Sequence, residues 1–140
     1  MTNIVIPSSV TSIGESTFDG CSSLENIVIP SSVISIDRRA FQNCSSLKSI
    51  EIPSGVKSIG ESTFAGCNSL ENIVIPSSVT SIGKWAFQNC SSVTSIKIPS
   101  GVTVIETLTF AYCNNLTSIE IPSSVKIIGN NAFNKSCYLA

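Results

Sequence analysis

The sequence predicts a β-rich repeat solenoid in which about six turns of 23 residues stack on one another. All six prolines keep this spacing: Pro7, Pro30, Pro53, Pro76, Pro99 and Pro122. All six phenylalanines keep it too: Phe18, Phe41, Phe64, Phe87, Phe110 and Phe133. A fixed period in the twenties is typical of tandem-repeat proteins. Because each turn of such an array contacts only its neighbours, we expect residues 1–140 to form one domain. The chain begins inside a repeat, so we expect it to be a fragment of a longer array.

The first part of each turn predicts two short strands. Ile27 and Ile29 alternate with a variable residue, the period-2 pattern of a strand with one buried face. Pro30 lacks an amide donor and is expected to end that strand and turn a corner. The apolar pair Val33 and Ile36 then predicts a second, shorter strand.

The second part of each turn predicts one helical turn with a cap at each end. Glycine or an acidic residue precedes it, as at Gly14 and Asp37. Glycine or asparagine follows it in four turns, and these residues most readily adopt the left-handed conformation that ends a helix. The four are Gly20, Asn43, Gly66 and Asn89.

The predicted core receives seven apolar side chains from each turn, among them one phenylalanine and one cysteine. The cysteines at Cys21, Cys44, Cys67, Cys90 and Cys113 share one phase of the repeat. One cysteine per turn favours a ladder of buried thiols over a disulfide framework, since free cysteine is among the most buried residues. Cys137 is out of register because Ser136 holds its place, so we expect Cys137 to be the most reactive thiol.

Composition excludes several classes of function. The net charge is −1 and 12% of residues are charged, so no basic surface for nucleic acid is present. No apolar run approaches the roughly 20 residues that span a bilayer, and we predict no membrane insertion. The chain contains no histidine, which removes the commonest general base and metal ligand. We predict a protein that is not an enzyme, with no catalytic residue, metal site or cofactor.

Alternate turns are more alike than adjacent ones. Residues 15–33 nearly repeat as 61–79, and 38–46 return as 84–92. Opposite charges therefore alternate between neighbouring turns, as in the column Glu15, Arg38, Glu61 and Lys84. This alternation favours in-register stacking, with a pair of turns as the repeating unit.

The segment IPSSVTSIGESTFDGCSSLENIVIP resembles the BspA-like (treponemal-type) leucine-rich repeat, and the likeness covers essentially the whole chain. The resemblance implies a right-handed leucine-rich-repeat superhelix with parallel strands. It also implies adhesion to host matrix proteins, host cells or other microbes, from a cell-surface or secreted protein. The chain shows no secretory signal of its own. Because the motif residues are scaffold, the resemblance assigns no binding residue.

Two groups of variable residues are candidate binding positions. The outward column of the first strand is Val5, Val28, Glu51, Val74, Lys97 and Glu120. Such faces of solenoids commonly bind ligands. The alternative is that these residues only suit a strand, with Lys97 and Glu120 forming a weak cross-strand pair.

The second group is apolar and lies in the last third of the chain. Val104 and Ile127 stand where all four earlier turns carry serine, and Trp85 and Leu108 stand where two earlier turns carry Ser16 and Ser62. Tyr112 replaces a glycine or asparagine. Grouped exposed apolar residues are typical of an interface, for a partner or for self-association. The alternative is that they cover the end of the core.

We therefore predict a protein–protein interaction or adhesion module whose partner is a host matrix protein, a cell-surface protein or a glycan. The alternative is a structural segment that assembles with itself through the ends of the solenoid, where unpaired strand edges invite pairing.

Overall fold

A computed structural model describes residues 3–136, which form twelve short strands and no helix. Three-residue strands are β1 (Asn3–Val5), β3 (Asn26–Val28), β5 (Ser49–Glu51), β7 (Asn72–Val74), β9 (Ser95–Lys97) and β11 (Ser118–Glu120). Two-residue strands alternate with them: β2 (Ser12–Ile13), β4 (Ser35–Ile36), β6 (Ser58–Ile59), β8 (Ser81–Ile82), β10 (Val104–Ile105) and β12 (Ile127–Ile128). From β1 to β11 the chain winds through about five complete turns. The prediction of six is wrong for the described residues, because the sixth turn is incomplete at Ser136.

Equivalent strands pair in parallel with a register of 23 residues, so the predicted strands and their stacking are confirmed. The three-residue strands pair two by two, as β1–β3, β5–β7 and β9–β11. The two-residue strands form one continuous sheet from β2 to β8 and a separate pair, β10–β12. In strands β2 to β10 one isoleucine of each strand is buried in the core, as Ile27 in β3 and Ile36 in β4 are. The molecule is thus a parallel β-solenoid.

The predicted helical turn is wrong. Its backbone is left-handed at two places in each turn, for example at Ser16 (φ 59°) and Gly20 (φ 77°). A helix requires each N–H to bond four residues back. Here the Phe18 N–H donates instead to the Ala40 carbonyl of the next turn, at 2.8 Å. Gly20 donates in the same way to Gln42, also at 2.8 Å. The segment therefore forms a third ladder between turns, and this ladder takes up the backbone groups that a helix would have satisfied internally.

The core consists of columns of identical side chains. The seven apolar positions predicted for one turn are all buried: Ile27, Ile29, Val33, Ile36, Phe41, Cys44 and Leu47. The six phenylalanine rings form one stack, with successive centroids 5.3 to 5.6 Å apart. This distance lies within the preferred range for offset aromatic pairs, so the ring stack is compatible with the strand spacing of about 4.8 Å.

The thiol ladder is confirmed, and the cysteines of the described residues are free. Each buried thiol lies against the phenylalanine carbonyl of the preceding turn; Cys67 Sγ is 3.1 Å from the Phe41 oxygen. The Ser136 hydroxyl takes the equivalent place and donates to the Phe110 carbonyl at 2.5 Å. Serine therefore substitutes for the thiol in the last turn, as its register predicts. Cys137 lies outside the described residues.

One glycine column brings neighbouring turns into close contact. A Cβ on Gly60 would lie 2.5 Å from the Arg38 nitrogen, and one on Gly83 would lie 2.5 Å from the Glu61 nitrogen. Glu106 occupies this column in the fifth turn. At this turn the ladder between β8 and β10 is not formed within the described residues. Asp37 also has a side chain in this column and still donates its N–H to the Ile13 carbonyl, at 2.9 Å. The corresponding bond from Glu106 is not formed within the described residues, so the gap accompanies the longer glutamate side chain.

Candidate functional site

A groove crosses the outward face of strands β3, β5 and β7. It has a volume of about 830 Å³, and its lining includes Val28, Glu51 and Val74. Strand alternation positions these side chains: Ile27 points into the core, so Val28 points away from it. Val28 and Val74 are 74% and 73% exposed. We call this surface the valine groove. Large apolar side chains with this exposure, set in a concavity, form a surface suited to an apolar partner.

The charged members of the same column lie at different places along the solenoid. Glu51 stands between the two valines of the groove and is exposed. Lys97 and Glu120 lie two and three turns further on and are opposite each other in the β9–β11 register. The predicted cross-strand alignment is thus present. The ion pair found within residues 3–136 is another one, between Arg38 and Glu15, at 2.8 Å.

The predicted C-terminal apolar group is divided between surfaces. Val104 and Ile127 are direct partners in β10 and β12, and Ile127 is 58% exposed. Trp85 and Leu108 occupy equivalent positions in adjacent turns and are half-buried. Both have left-handed backbones, with φ of 60° and 58°. This conformation is uncommon for residues other than glycine, and bulky side chains adopt it least readily.

Tyr112 does not lie with that group. It lines a second groove, of about 560 Å³, on the surface formed by the turn segments. Asn43, Asn68, Asn89 and Asn114 also line this groove, and the rest of its lining is glycine and serine. We call this surface the amide groove. Tyr112 is 38% exposed and has a left-handed backbone, with φ of 62°.

The buried cysteines have the properties of packing residues rather than nucleophiles. Burial raises the pKa of the Cys44 and Cys113 thiols to about 12, and it raises the pKa of Cys67 and Cys90 as well. A nucleophilic cysteine requires the opposite shift, because the thiolate is the reactive form. Residues 3–136 contain no group of histidine, cysteine or acidic side chains that could hold a metal ion.

Sequence reasoning missed the amide groove and the left-handed position that recurs between the strands and the phenylalanine. The groove's one available sign was the alternation of glycine and asparagine at residues 20, 43, 66 and 89. That alternation was interpreted as helix capping. The left-handed position had no comparable sign, because serine, arginine, tryptophan and leucine occupy it in five of the six turns. Only the winding of the chain shows that these residues share one conformation.

This architecture, with parallel strands in 23-residue register and one aromatic column, defines a leucine-rich-repeat solenoid. Residues 1–114 match six copies of the BspA type leucine rich repeat region. The chain therefore belongs to the BspA-type leucine-rich repeat family. Repeats of this kind generally serve as scaffolds for protein interaction and are generally not enzymes.

Solved structures of bacterial leucine-rich repeat proteins support this assignment. The leucine rich repeat protein of T. pallidum is 36% identical, with a TM-score of 0.88, over 91% of this chain and 60% of that one. A leucine rich cell surface protein of Faecalibacterium prausnitzii is 32% identical, with a TM-score of 0.87, over 96% of this chain and 45% of that one. The present chain thus spans about half the length of these relatives.

The search of curated proteins found no match. Among residues 3–136 the structure contains no helix with the length and hydropathy needed to cross a membrane.

Proposed function

We propose that this protein is a non-enzymatic adhesion module that binds a host matrix or cell-surface protein through the valine groove. The observation that carries the proposal is the pair of exposed valines, Val28 and Val74, set in an 830 Å³ concavity on rigid strands. Covering such side chains with a partner is favourable by about 25 cal/mol per Å² of apolar surface. The F. prausnitzii relative is a cell surface protein, which supports the same location for this chain.

The valine groove is a better candidate than the Trp85–Leu108 pair for the main contact. Trp85 and Leu108 are already half-buried, so a partner would remove less of their surface from water. The valines project from strands whose isoleucines are fixed in the core, and a rigid surface loses little entropy on binding. Trp85, Leu108, Val104 and Ile127 are proposed to extend the interface only for a large partner.

The test is the binding of purified host matrix proteins to this chain, measured by bio-layer interferometry. The double variant Val28→Thr with Val74→Thr keeps β-branched residues in both strands, so the fold is retained. Replacing two contacting methyl groups by hydroxyls removes about 2 kcal/mol of apolar contact, and affinity should fall at least tenfold.

The matched control is Ile34→Thr. Ile34 is 54% exposed but lies beside β4, on a different side of the solenoid, so this variant should bind normally. If no matrix or cell-surface protein binds, the adhesion proposal fails. If Trp85→Ala with Leu108→Ala abolishes binding while the valine variant binds normally, the contact lies on the other surface.

Self-assembly is the second candidate, and strand β12 favours it. Ile127 and Ile128 are 58% and 53% exposed, and within the described residues their strand pairs on one side only, with β10. An exposed apolar strand edge is a template for a second chain. Light scattering across a hundredfold range of concentration tests this function. A size that stays monomeric throughout would exclude it, and dissociation on dilution would support it.

A further inference from the structure

The amide groove is a second concave surface, separate from the valine groove. It crosses five adjacent turns, from Gly20 to Tyr112. Because neighbouring paired turns are about 4.8 Å apart, the four steps from Gly20 to Tyr112 make the groove roughly 19 Å long. No charged residue lines it. Its contents are amides, hydroxyls, bare backbone at glycines, and one aromatic ring.

The amide side chains of this groove are available to a ligand. Asn43, Asn68, Asn89 and Asn114 are exposed. Within residues 3–136, no protein group accepts or donates a hydrogen bond to these four side-chain amides, although nearby Asn115 donates to the Ser91 carbonyl. Each amide offers two donor hydrogens and one acceptor oxygen. Asn43 Oδ1 lies in the space that a Cβ of Gly66 would occupy, so this amide packs against the bare backbone on the floor of the groove.

This set of groups selects against most ligand classes. Phosphate and sulfate groups bind most strongly beside cationic side chains, and the lining has none. Transition-metal sites use imidazoles or thiolates, and Ca²⁺ and Mg²⁺ sites include carboxylates; all of these are absent from the lining. An apolar peptide would leave the amides without partners, at a cost for each buried group. A neutral polyhydroxylated ligand fits, because each of its hydroxyls both donates and accepts, as the amide groups do.

Tyr112 completes the arrangement at one end of the groove. In earlier turns this position is glycine or asparagine, which adopt the left-handed backbone readily, and tyrosine does so at a cost. Tyr112 is 38% exposed and lines the groove. An aromatic face beside hydrogen-bonding amides matches a sugar ring, which has apolar C–H groups on its faces and hydroxyls at its edge. One pyranose unit in an extended chain has about the thickness of one turn.

We infer that the amide groove is a binding site for a neutral, extended glycan, with Asn43, Asn68, Asn89 and Asn114 bonding its hydroxyls and Tyr112 packing on a terminal ring. The site is independent of the proposed matrix-protein contact, because the two grooves share no lining residue. The module would thus attach to a protein and to a carbohydrate through different surfaces.

The test is a titration of isotope-labelled protein, produced in bacteria, with five-residue oligosaccharides of β-linked glucose and of β-linked N-acetylglucosamine. Side-chain amide resonances report binding directly. The signals of Asn43 and Asn89 should shift, and those of Asn26 and Asn72, which line the valine groove, should not. Tyr112→Asn should weaken binding at least tenfold. The same variant should unfold at an equal or higher temperature, because asparagine tolerates the left-handed backbone better. A gain in stability with a loss of affinity separates this role from a structural one.

Trp85→Ala is the matched control, because it removes an aromatic ring from another left-handed position outside the amide groove; its glycan affinity should be unchanged. Amide signals that stay still up to millimolar oligosaccharide would overturn the inference, as would undiminished binding by Tyr112→Asn. Tighter binding of a sulfated oligosaccharide of equal length would also overturn it. The Val28→Thr, Val74→Thr variant should bind glycan normally, so failure of the matrix-protein proposal and failure of this one are distinguishable.

Discussion

Close approach between turns predicts opposite effects for the same substitution at two glycines of one column. Gly83 lies against the preceding turn: an added Cβ would be 2.5 Å from the Glu61 nitrogen and 2.8 Å from the Gly60 carbonyl carbon. Gly14 is the equivalent residue of the first turn, where an added Cβ would meet only the Thr17 hydroxyl, at 3.6 Å. Neither glycine has a positive φ, so backbone conformation alone tolerates alanine at both.

The magnitudes follow from these contacts. At Gly83 the obstructing atoms are backbone, so the turns must separate, and overpacking of this kind costs about 1–3 kcal/mol. The Gly83 N–H bond to the Ile59 carbonyl, now 2.9 Å, would lengthen and lose about a further 1 kcal/mol. At Gly14 alanine meets no obstruction, and it lowers the entropy of the unfolded chain. Gly14→Ala should therefore stabilise by about 0.4–1 kcal/mol. We expect the two variants to differ by about 3 kcal/mol.

The assay is equilibrium unfolding in urea, followed in parallel by circular dichroism and by the fluorescence of the single tryptophan, Trp85. Coincident transitions are needed before free energies are compared, because repeat arrays can unfold in stages. Equal effects of Gly83→Ala and Gly14→Ala would refute the reasoning. They would show that this column is glycine because of chain flexibility and not because neighbouring turns touch.

Two further predictions concern the ladder gap and the thiols. Glu106→Gly should allow β8 and β10 to pair, and the free energy of unfolding in urea should rise by about 1 kcal/mol. Asp37→Gly is the control and should gain nothing, because the Asp37 N–H already donates to the Ile13 carbonyl, at 2.9 Å. The folded-state pKa of Cys44 and Cys113, about 12, exceeds the ordinary thiol value of 9.0. Their stabilisation is therefore complete below pH 9 and should fall by about 1.4 kcal/mol per thiol and pH unit above it. The check is the free energy of unfolding in urea, measured from neutral pH to about pH 10.5. A free energy that does not change with pH would contradict buried thiols. In Cys67→Ala the free energy should fall less steeply with pH, because one buried thiol is removed.

The strands and the core could be predicted because they depend on short-range patterns. Ile27 and Ile29 are two residues apart, so one face of the strand is apolar whatever the rest of the chain does. The segment before Phe41 could not be predicted in the same way. It has turn-like bonds three residues apart and capping residues at its ends, features that a helix shares. The decisive difference is that Phe41 donates its N–H to Thr63 in the next turn, a contact 22 residues away.

The candidate surfaces show the same division. The valine groove follows from strand alternation, so Val28, Glu51 and Val74 could be placed on one face from the sequence. The sequence pattern groups Tyr112 with Trp85 because both are aromatic replacements in the later turns. In the structure they lie on different surfaces, because the left-handed residues turn the chain between them. Side-chain direction in that segment depends on backbone angles that the sequence pattern did not indicate.

The alternation of two kinds of turn also shows which residues are required for stacking and which are free to serve binding. Asn43 fills the space over Gly66, so asparagine in one turn favours glycine in the next. In the same way the Thr63 hydroxyl links two turns, because it lies 2.7 Å from the Gly60 carbonyl oxygen and 3.2 Å from the Asp37 carbonyl oxygen. The equivalent residue of each adjacent turn is alanine. By this rule a glycine should follow Asn89, yet Tyr112 stands there. Stacking does not explain Tyr112, because tyrosine adopts the left-handed backbone at a cost and breaks the two-turn pattern. Its position in a groove of unpaired amides is explained if it contacts a ligand.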